Sequence, residues 1–138
     1  MIGAYKHTLD AKGRIIVPSK FREELGSTFY ITKGLNKSLF AYSQQEWAVL
    51  EAKIKALPMV KSRDLQLFFF SSAFEAEADK QGRVLITPDL REYAGLTKDV
   101  TVIGAANRME IWDSAKWQEM SSALTDEKIA EAMEAMDF

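Results

Sequence analysis

Two short stretches of the sequence place an acid, a glycine and an arginine at the same spacing. Residues 10–14 read DAKGR and residues 79–83 read DKQGR. In each stretch the carboxylate can accept backbone N–H groups two residues on, and the glycine supplies the positive φ that a tight turn requires. The closing arginine carries a planar guanidinium, which suits phosphate oxygens or the edge of guanine. The turn-organising residues are thus Asp10, Gly13, Asp79 and Gly82, and the presented arginines are Arg14 and Arg83.

Residues for other kinds of chemistry are scarce. The 138 residues include no cysteine and one histidine, His7, so thiol nucleophiles, disulfides and a Cys/His zinc site are excluded. The sequence contains neither a glycine-rich phosphate loop nor a G-x-S-x-G elbow. We therefore expect no enzyme, no cofactor and no metal, and we interpret His7 as a packing residue on the strand face that Tyr5 and Leu9 share.

Composition and charge indicate a soluble globular chain. Apolar residues make up 47% of the sequence, and no apolar run is long enough to cross a bilayer. The net charge of −2 conceals an asymmetry, since residues 1–63 hold 11 basic and 5 acidic side chains and residues 64–138 hold 7 and 15. A basic half can support local contacts with phosphates. We expect a cytoplasmic protein with no membrane partner.

The positions around the two stretches repeat as well. A shift of 69 residues places residues 10–26 over residues 79–95 without a gap, and it matches Arg22 with Arg91. Farther on, a shift of 70 pairs Gly34 with Gly104 and Trp47 with Trp117. Two copies of one supersecondary unit are the simplest interpretation.

Each copy has the local signals of a β-β-α-β-β unit. YKHTL alternates as a half-buried strand does, and RIIV is β-branched enough to return beside it as a hairpin partner. SKFREELG and PDLREYAG predict short helices, with Ser19 or Asp89 as N-cap and Gly26 or Gly95 at the end. FYIT with LFAY, and VTVI with MEIW, predict further strands. A single unit is too thin to bury a core, so the two must pack together.

Helices are predicted after each unit. SQQE at 43–46 is a capping box that opens a helix ending at Pro58, and residues 64–74 complete a helical connector or form a buried strand. The tail TDEKIAEAMEAM predicts an amphipathic helix whose methionine stripe serves as core or subunit contact. The predicted divisions are a first repeat at 1–47, a connector at 48–73, a second repeat at 74–117 and a helical tail at 118–138.

The duplicated D-x-x-x-R turn, together with LDAKGRIIVP, GLTKDVTVIG and MEIWD, resembles the MraZ family of bacterial transcriptional regulators over about residues 1–120. The resemblance implies an α+β, β-rich fold of the SpoVT/AbrB swapped-hairpin class, in which two copies form a pseudo-dimer barrel inside one chain. It further implies ring-like homo-oligomers, association with the nucleoid, and binding to direct-repeat double-stranded DNA upstream of the division and cell-wall gene cluster, including the protein's own promoter.

The surroundings of the two arginines differ in charge. The first copy has Lys6, Thr8 and Lys12 where the second has Glu75, Glu77 and Gln81, and only Lys80 partly compensates. Two carboxylates on the strand leading to Arg83 would repel phosphates or hold that arginine in an internal ion pair. We therefore predict DNA contacts by Lys6, Lys12, Arg14, Lys80 and Arg83, with the first copy dominant.

Three other functions are compatible with the residues. One is an antitoxin-like module that binds a partner protein through its acidic end, since residues 110–138 hold 8 acids and 2 bases. A helix formed in the free chain would favour self-assembly over this alternative. The second is a small enzyme, which would need a cleft with perturbed carboxylates. The third is a structural assembly protein whose arginines join subunits.

Overall fold

The order of secondary structure recurs in the two halves of the chain. The computed structural model describes residues 1–137, and Phe138, the last residue of the predicted tail, lies outside the described residues. The elements of the first half are β1 (Ile2–Thr8), β2 (Arg14–Ile16), α1 (Ser19–Leu25), β3 (Thr28–Lys33), a 3₁₀ turn (Leu35–Lys37), β4 (Leu39–Ser43), α2 (Gln44–Lys55) and α3 (Met59–Phe70). Those of the second half are β5 (Phe74–Glu77), β6 (Arg83–Leu85), α4 (Pro88–Ala94), β7 (Asp99–Ala105), β8 (Met109–Asp113), α5 (Ser114–Ser122) and α6 (Asp126–Glu134). The chain is therefore α+β, as expected.

Strands from both halves are combined in one large antiparallel sheet. Its six strands follow the order β1-β7-β8-β4-β3-β5, and a separate two-stranded ribbon joins β2 to β6. The expectation that YKHTL and RIIV pair with each other is wrong. Tyr5 of β1 lies opposite Val102 of β7, and Ile15 of β2 lies opposite Val84 of β6. Periodicity specifies the buried face of a strand, and partners from either half satisfy that face equally well.

The offset between the halves changes along the chain. β3 begins two residues after Gly26, whereas β7 begins four residues after Gly95. The strand ladders accordingly place Lys33 opposite Leu39 in the first half and Gly104 opposite Met109 in the second. The predicted correspondence of Gly34 with Gly104 is therefore wrong by one residue, because two extra residues follow the second short helix.

The core lies between the sheet, the ribbon and the two short helices. Ile15 and Val84, on the inner face of the ribbon, are each 1% exposed. Helices α1 and α4 each bury two residues four apart, which is the spacing of one helical face. The buried helical residues are Phe21, Leu25, Leu90 and Ala94. Each half thus supplies one strand of the ribbon and one helix to a single core.

The short helices end as predicted but begin differently. Gly26 and Gly95 follow them with φ of +84° and +63°, values that glycine adopts without strain. The predicted N-caps Ser19 and Asp89 are wrong, because Pro18 and Thr87 precede the helices and neither makes a side-chain cap. Proline fixes φ near the helical value, so a start at or beside it needs no capping side chain.

The longer helices connect and follow the two halves. Ser43 Oγ accepts a hydrogen bond from Glu46 N at 3.2 Å, which confirms the predicted start of α2. The helical interpretation of residues 64–74 is correct as far as Phe70, and Phe74 begins β5. The predicted tail helix is present as α6, and Thr125 caps it by accepting from Lys128 N. Among residues 1–137, no helix has the length and apolar character needed to cross a membrane.

Candidate nucleic-acid interface

The first D-x-x-x-R stretch is a turn organised by its aspartate. Asp10 Oδ1 accepts from the backbone N–H of Lys12 at 2.9 Å and of Arg14 at 2.8 Å. The backbone N–H of Gly13 donates to the Asp10 carbonyl at 3.0 Å, with φ of Gly13 at +83°. Asp10 Oδ2 accepts from Arg14 Nε at 2.7 Å. One carboxylate therefore fixes both the backbone of the turn and the direction of the arginine.

The second stretch repeats this geometry. Asp79 Oδ1 accepts from the backbone N–H of Gln81 and of Arg83, each at 2.9 Å, and Oδ2 accepts from Arg83 Nε at 2.8 Å. Gly82 has φ of +81° and donates to the Asp79 carbonyl at 2.9 Å. The turn-organising roles predicted for the two aspartates and two glycines are thus compatible with the structure.

The two aspartates favour their ionised forms. Hydrogen bonds from the backbone of Arg14 hold the pKa of Asp10 below its ordinary value, and the Arg14 side chain adds to this effect. Arg83 lowers the pKa of Asp79 in the same way. Each arginine uses Nε toward its aspartate, and within residues 1–137 neither Nη group of either side chain has a hydrogen-bond or ion-pair partner. The side chains of Arg14 and Arg83 are 25% and 30% exposed, so their guanidinium groups are partly accessible.

The outer face of the β2–β6 ribbon carries both arginines. Arg14 lies opposite Leu85, and Ile16 lies opposite Arg83. Ile16 is 45% exposed and Leu85 is 54% exposed, whereas the residues between them along each strand face the core. The face therefore consists of two aliphatic side chains flanked by two guanidinium groups. A two-stranded ribbon of this kind has the width to enter the major groove of DNA.

Backbone hydrogen bonds lock each turn to the other half of the chain. Val17 N donates to the Gly82 carbonyl at 2.8 Å, and Ile86 N donates to the Gly13 carbonyl at 2.9 Å. The ribbon pairing therefore continues into the glycines of both turns. The two D-x-x-x-R turns consequently hold a fixed position relative to each other.

The side chains of two further arginines lie against the glycines of the turns. A Cβ atom placed on Gly13 would lie 2.7 Å from Cζ of Arg91, and one on Gly82 would lie 2.8 Å from Cζ of Arg22. Arg22 Nε donates to the Val17 carbonyl at 3.1 Å, whereas Arg91 Nε is buried with no hydrogen-bond partner within residues 1–137. Each arginine belongs to the short helix of one half and lies against the turn glycine of the other. We call these two contacts the arginine–glycine crossings.

No functional role was predicted from the sequence for Arg22, Arg91, Ile16 and Leu85, although the sequence contained signals for some of them. The repeat alignment already paired Arg22 with Arg91, but a contact between opposite halves is not visible in an alignment of one half with the other. Ile16 and Leu85 follow from the alternation of RII and RVL, which puts them on the same face as the arginines.

Comparison with known proteins places the chain in a family. The sequence model described as "MraZ protein, putative antitoxin-like" matches residues 1–67 and 69–137. The chain belongs to the MraZ family. A protein named Transcriptional regulator MraZ from Acetivibrio thermocellus is 54% identical over 135 residues, covering 95% of this chain and 94% of that protein. The protein of the same name from Caldicellulosiruptor saccharolyticus is 54% identical over 140 residues, covering 99% of this chain and 98% of its own.

Similarity to solved structures is weaker. The solution structure of PHS018 from Pyrococcus horikoshii is 19% identical and covers 80% of this chain and 86% of its own, with a TM-score of 0.31. A TM-score of that size does not indicate a shared fold. The membership of the chain in the MraZ family therefore depends on its sequence matches.

In this member of the MraZ family, the predicted lysines lie at three places around the ribbon. Lys12 and Lys80 are exposed within the two turns. Lys6 lies on β1 opposite Thr101 and lines a surface depression together with Ile16 of the ribbon. Lys6 therefore adds a positive charge beside the outer face of the ribbon, outside the turn itself.

The position that corresponds to Lys6 in the second half is acidic. Glu75 of β5 lies opposite Tyr30 of β3, and Glu77 lines a surface depression together with Asp79. Within residues 1–137 the ion-pair partner of Arg83 is Asp79, and neither strand glutamate bonds to it. Of the two effects expected from these carboxylates, repulsion of phosphates therefore remains and the internal ion pair is wrong.

Proposed function

We propose that this chain is a sequence-specific DNA-binding transcriptional regulator. The relatives named Transcriptional regulator MraZ support this function, since they match nearly the whole chain at about half identity. The observation that carries the proposal is the outer face of the ribbon. There, two oriented arginines flank two exposed aliphatic side chains on a narrow two-stranded element.

The proposed contacts divide into two kinds. The free Nη groups of Arg14 and Arg83 bind guanine edges or phosphates, while Lys6, Lys12 and Lys80 bind the backbone phosphates beside them. Ile16 and Leu85 suit the methyl groups of thymine. Charge contacts fix the position of the ribbon on the duplex, and the ribbon face itself discriminates between sequences.

The proposed architecture is a swapped-hairpin pseudo-dimer within one chain. Pairing of β1 with β7, of β3 with β5 and of β2 with β6 supports it, because each pair joins the two halves. In this proposal the repeats occupy 1–47 and 74–117, separated by a connector at 48–73 and followed by a tail at 118–138.

Oligomerisation is part of the proposal. One ribbon makes few phosphate contacts, and a ring of subunits on direct repeats raises the effective concentration of the remaining ribbons. Large apolar side chains are exposed on and between the helices and can supply subunit contacts. They include Met59, Val60, Leu67, Leu124 and Ile129. The proposed target is the division and cell-wall gene cluster, including the chain's own promoter.

Selection of bound duplexes from a random library tests the proposal. We expect enrichment of a short motif repeated in the same direction, and native mass measurement should then show several chains on one duplex. The proposal is contradicted if the wild-type protein enriches no motif from the library and binds DNA no more tightly than the Arg14→Ala/Arg83→Ala variant. Lys53→Ala/Lys61→Ala is the matched control, since both lysines are exposed on helices away from the ribbon.

A second candidate is an antitoxin-like module, which the description of the matching family suggests. The acidic tail would then bind a partner protein. Helix α6 has its own cap at Thr125, and a tail helix that needs no partner to form favours self-assembly. Deletion of residues 125–138 separates the two functions: loss of oligomers with weaker DNA binding supports the regulator, and unchanged oligomers with loss of a co-purifying partner supports the antitoxin.

A further inference from the structure

The short helix of each half is connected to a turn between two strands of the other half, and the two connections differ chemically. Ala106 lies in the turn between β7 and β8, and Gly34 lies in the turn between β3 and β4. In the first half, the ammonium of Met1 donates to the Ala106 carbonyl at 2.7 Å and pairs with Glu24 of α1 at 2.9 Å. In the second half, Tyr93 of α4 occupies the position that corresponds to Glu24. Its hydroxyl donates directly to the Gly34 carbonyl at 2.7 Å. An uncharged ring thus replaces the carboxylate of the other half.

Positive charge is nevertheless concentrated around that ring. Nζ of Lys33 lies 5.1 Å from the Tyr93 ring centroid and Nζ of Lys37 lies 4.7 Å from it. Neither lysine forms an ion pair with any residue in the described range 1–137. Lys37 also has φ of +62°, a conformation that is uncommon outside glycine and clusters at ligand sites. Two ammonium groups therefore lie near the ring that stands where the first half has a carboxylate.

A pocket opens beside the two lysines. Its volume is about 710 Å³, within the range of small-molecule sites. The C-terminal end of α3 and the start of α4 form its other walls and contribute the hydroxyl-bearing residues Ser71, Ser72 and Thr87. Asp89 and Glu92 also line it, and neither pairs with a lysine within residues 1–137. The lining of the pocket therefore contains both ammonium and carboxylate groups.

We infer that this pocket binds a small ligand through a phosphate or carboxylate group that lies on Lys33 and Lys37. The anion takes the place of the carboxylate that Tyr93 has displaced, and charge-assisted hydrogen bonds from the two ammonium groups hold it. Asp89 and Glu92 in the lining repel a continuous phosphate backbone, so the occupant is a small molecule with a single compact anionic group. The ring of Tyr93 keeps both lysines directed at that group.

Calorimetric titration of the full chain tests this site with three probes: inorganic phosphate, acetyl phosphate and citrate. We expect at least one to bind saturably, and Lys33→Gln/Lys37→Gln to weaken its binding by about tenfold or more. Glutamine removes the charge and keeps a flexible polar side chain that is one atom shorter, so we expect the fold to be preserved. The control Lys53→Gln/Lys61→Gln removes two exposed lysines elsewhere and should change the affinity by less than about twofold.

Three outcomes overturn the inference. The first is the absence of saturable binding by every probe up to about 10 mM. The second is equal weakening in the control variant, which would mean a general effect of net charge. The third is a lower salt slope of DNA binding in Lys33→Gln/Lys37→Gln with no binding of free anions, which would assign these lysines to nucleic acid. Failure of the DNA-binding proposal would leave this test unaffected, since it requires no DNA for its main readout.

Discussion

The guanidinium of Arg91 lies against the backbone of Gly13, close enough that a Cβ on that glycine would stand 2.7 Å from Cζ of the arginine. Gly13 belongs to the turn of the first half and Arg91 to the short helix of the second. The position of the first D-x-x-x-R turn therefore depends on a side chain contributed by the other half. The same relation joins Gly82 to Arg22.

Gly13→Ala should destabilise the fold through two effects that a second substitution separates. Alanine at φ of +83° is strained by about 1–3 kcal/mol, and its methyl group also displaces Arg91. In the Arg91→Ala background only the strain remains, so the two changes should be less than additive by about 0.5–1 kcal/mol. Urea unfolding of the four proteins in this cycle measures the coupling.

The crossed partner supplies the control for that cycle. Gly13→Ala combined with Arg22→Ala should be additive within about 0.5 kcal/mol, because Arg22 contacts the other turn. The complementary pairing of Gly82→Ala with Arg22→Ala should again be coupled. Coupling of Gly13 to Arg22 as strong as its coupling to Arg91 would contradict the arginine–glycine crossings.

Arg14→Ala should weaken DNA binding more than Arg83→Ala at fixed salt. Removal of a bidentate arginine costs about 1–3 kcal/mol, and Arg14 has Lys6 and Lys12 nearby, whereas Arg83 has Glu75 and Glu77 on the preceding strand. Fluorescence anisotropy with the selected duplex measures both losses. Equal losses, or a larger loss for Arg83→Ala, would show that these neighbouring charges do not decide the contribution of each turn.

Charge exchange provides an independent test of the same asymmetry. Glu75→Lys/Glu77→Thr gives the second half the charges of the first, and we expect tighter DNA binding and a steeper salt dependence. Each new phosphate contact should add about 0.9 to the slope of log affinity against log salt. The control Glu51→Lys adds positive charge on helix α2, away from the ribbon, and should leave that slope unchanged.

Ile16→Ala should reduce DNA binding while leaving the fold nearly intact. Ile16 is 45% exposed on the outer face of the ribbon, whereas its neighbour Ile15 is 1% exposed in the core. Ile15→Ala is therefore the matched comparison, and it should lower the free energy of unfolding by about 2–5 kcal/mol. Thermal unfolding and anisotropy together distinguish the two. A large loss of stability in Ile16→Ala, or its full retention of DNA affinity, would contradict the assignment of this face.

Acid should weaken the two turns in a manner that depends on their aspartates. The folded-state pKa values of Asp10 and Asp79 are lowered, so their ionised forms favour folding at neutral pH. That contribution is present above the unfolded-state pKa, near pH 4, and is lost as the pH falls through the lower folded-state values. The stability difference between the wild type and Asp10→Asn/Asp79→Asn should therefore shrink in acid. A difference that stays constant from neutral pH to about pH 3 would contradict this.

Much of the local structure could be predicted because its causes are local. The alternation in FYIT and VTVI, the capping box at Ser43 and the glycines after the short helices each act within a few residues. The turns are of this kind too, since Asp10 bonds only to residues two and four positions away.

Partner choice could not be predicted in the same way. β1 and β5 carry similar patterns, so nothing local decides whether β2 pairs with its own half or with the other. The arginine–glycine crossings could not be predicted for the same reason, because each joins a residue of one half to a residue of the other half. The sequence thus indicated the arginines at the surface and missed those that support them.

The pairing of β2 with β6 also bears on how the protein is made. Ile15 and Val84 are neighbours in the ribbon, yet they are 69 residues apart, half the length of the chain, and the partners Tyr5 of β1 and Val102 of β7 are 97 residues apart. A nascent chain that has emerged only as far as α3 has no partner for either of its first two strands, and its ribbon face does not yet exist. Such long-range pairings form slowly, and unpaired strand edges aggregate. Completion of the second half is therefore the step at which a newly synthesised chain pairs these strand edges and forms its ribbon face.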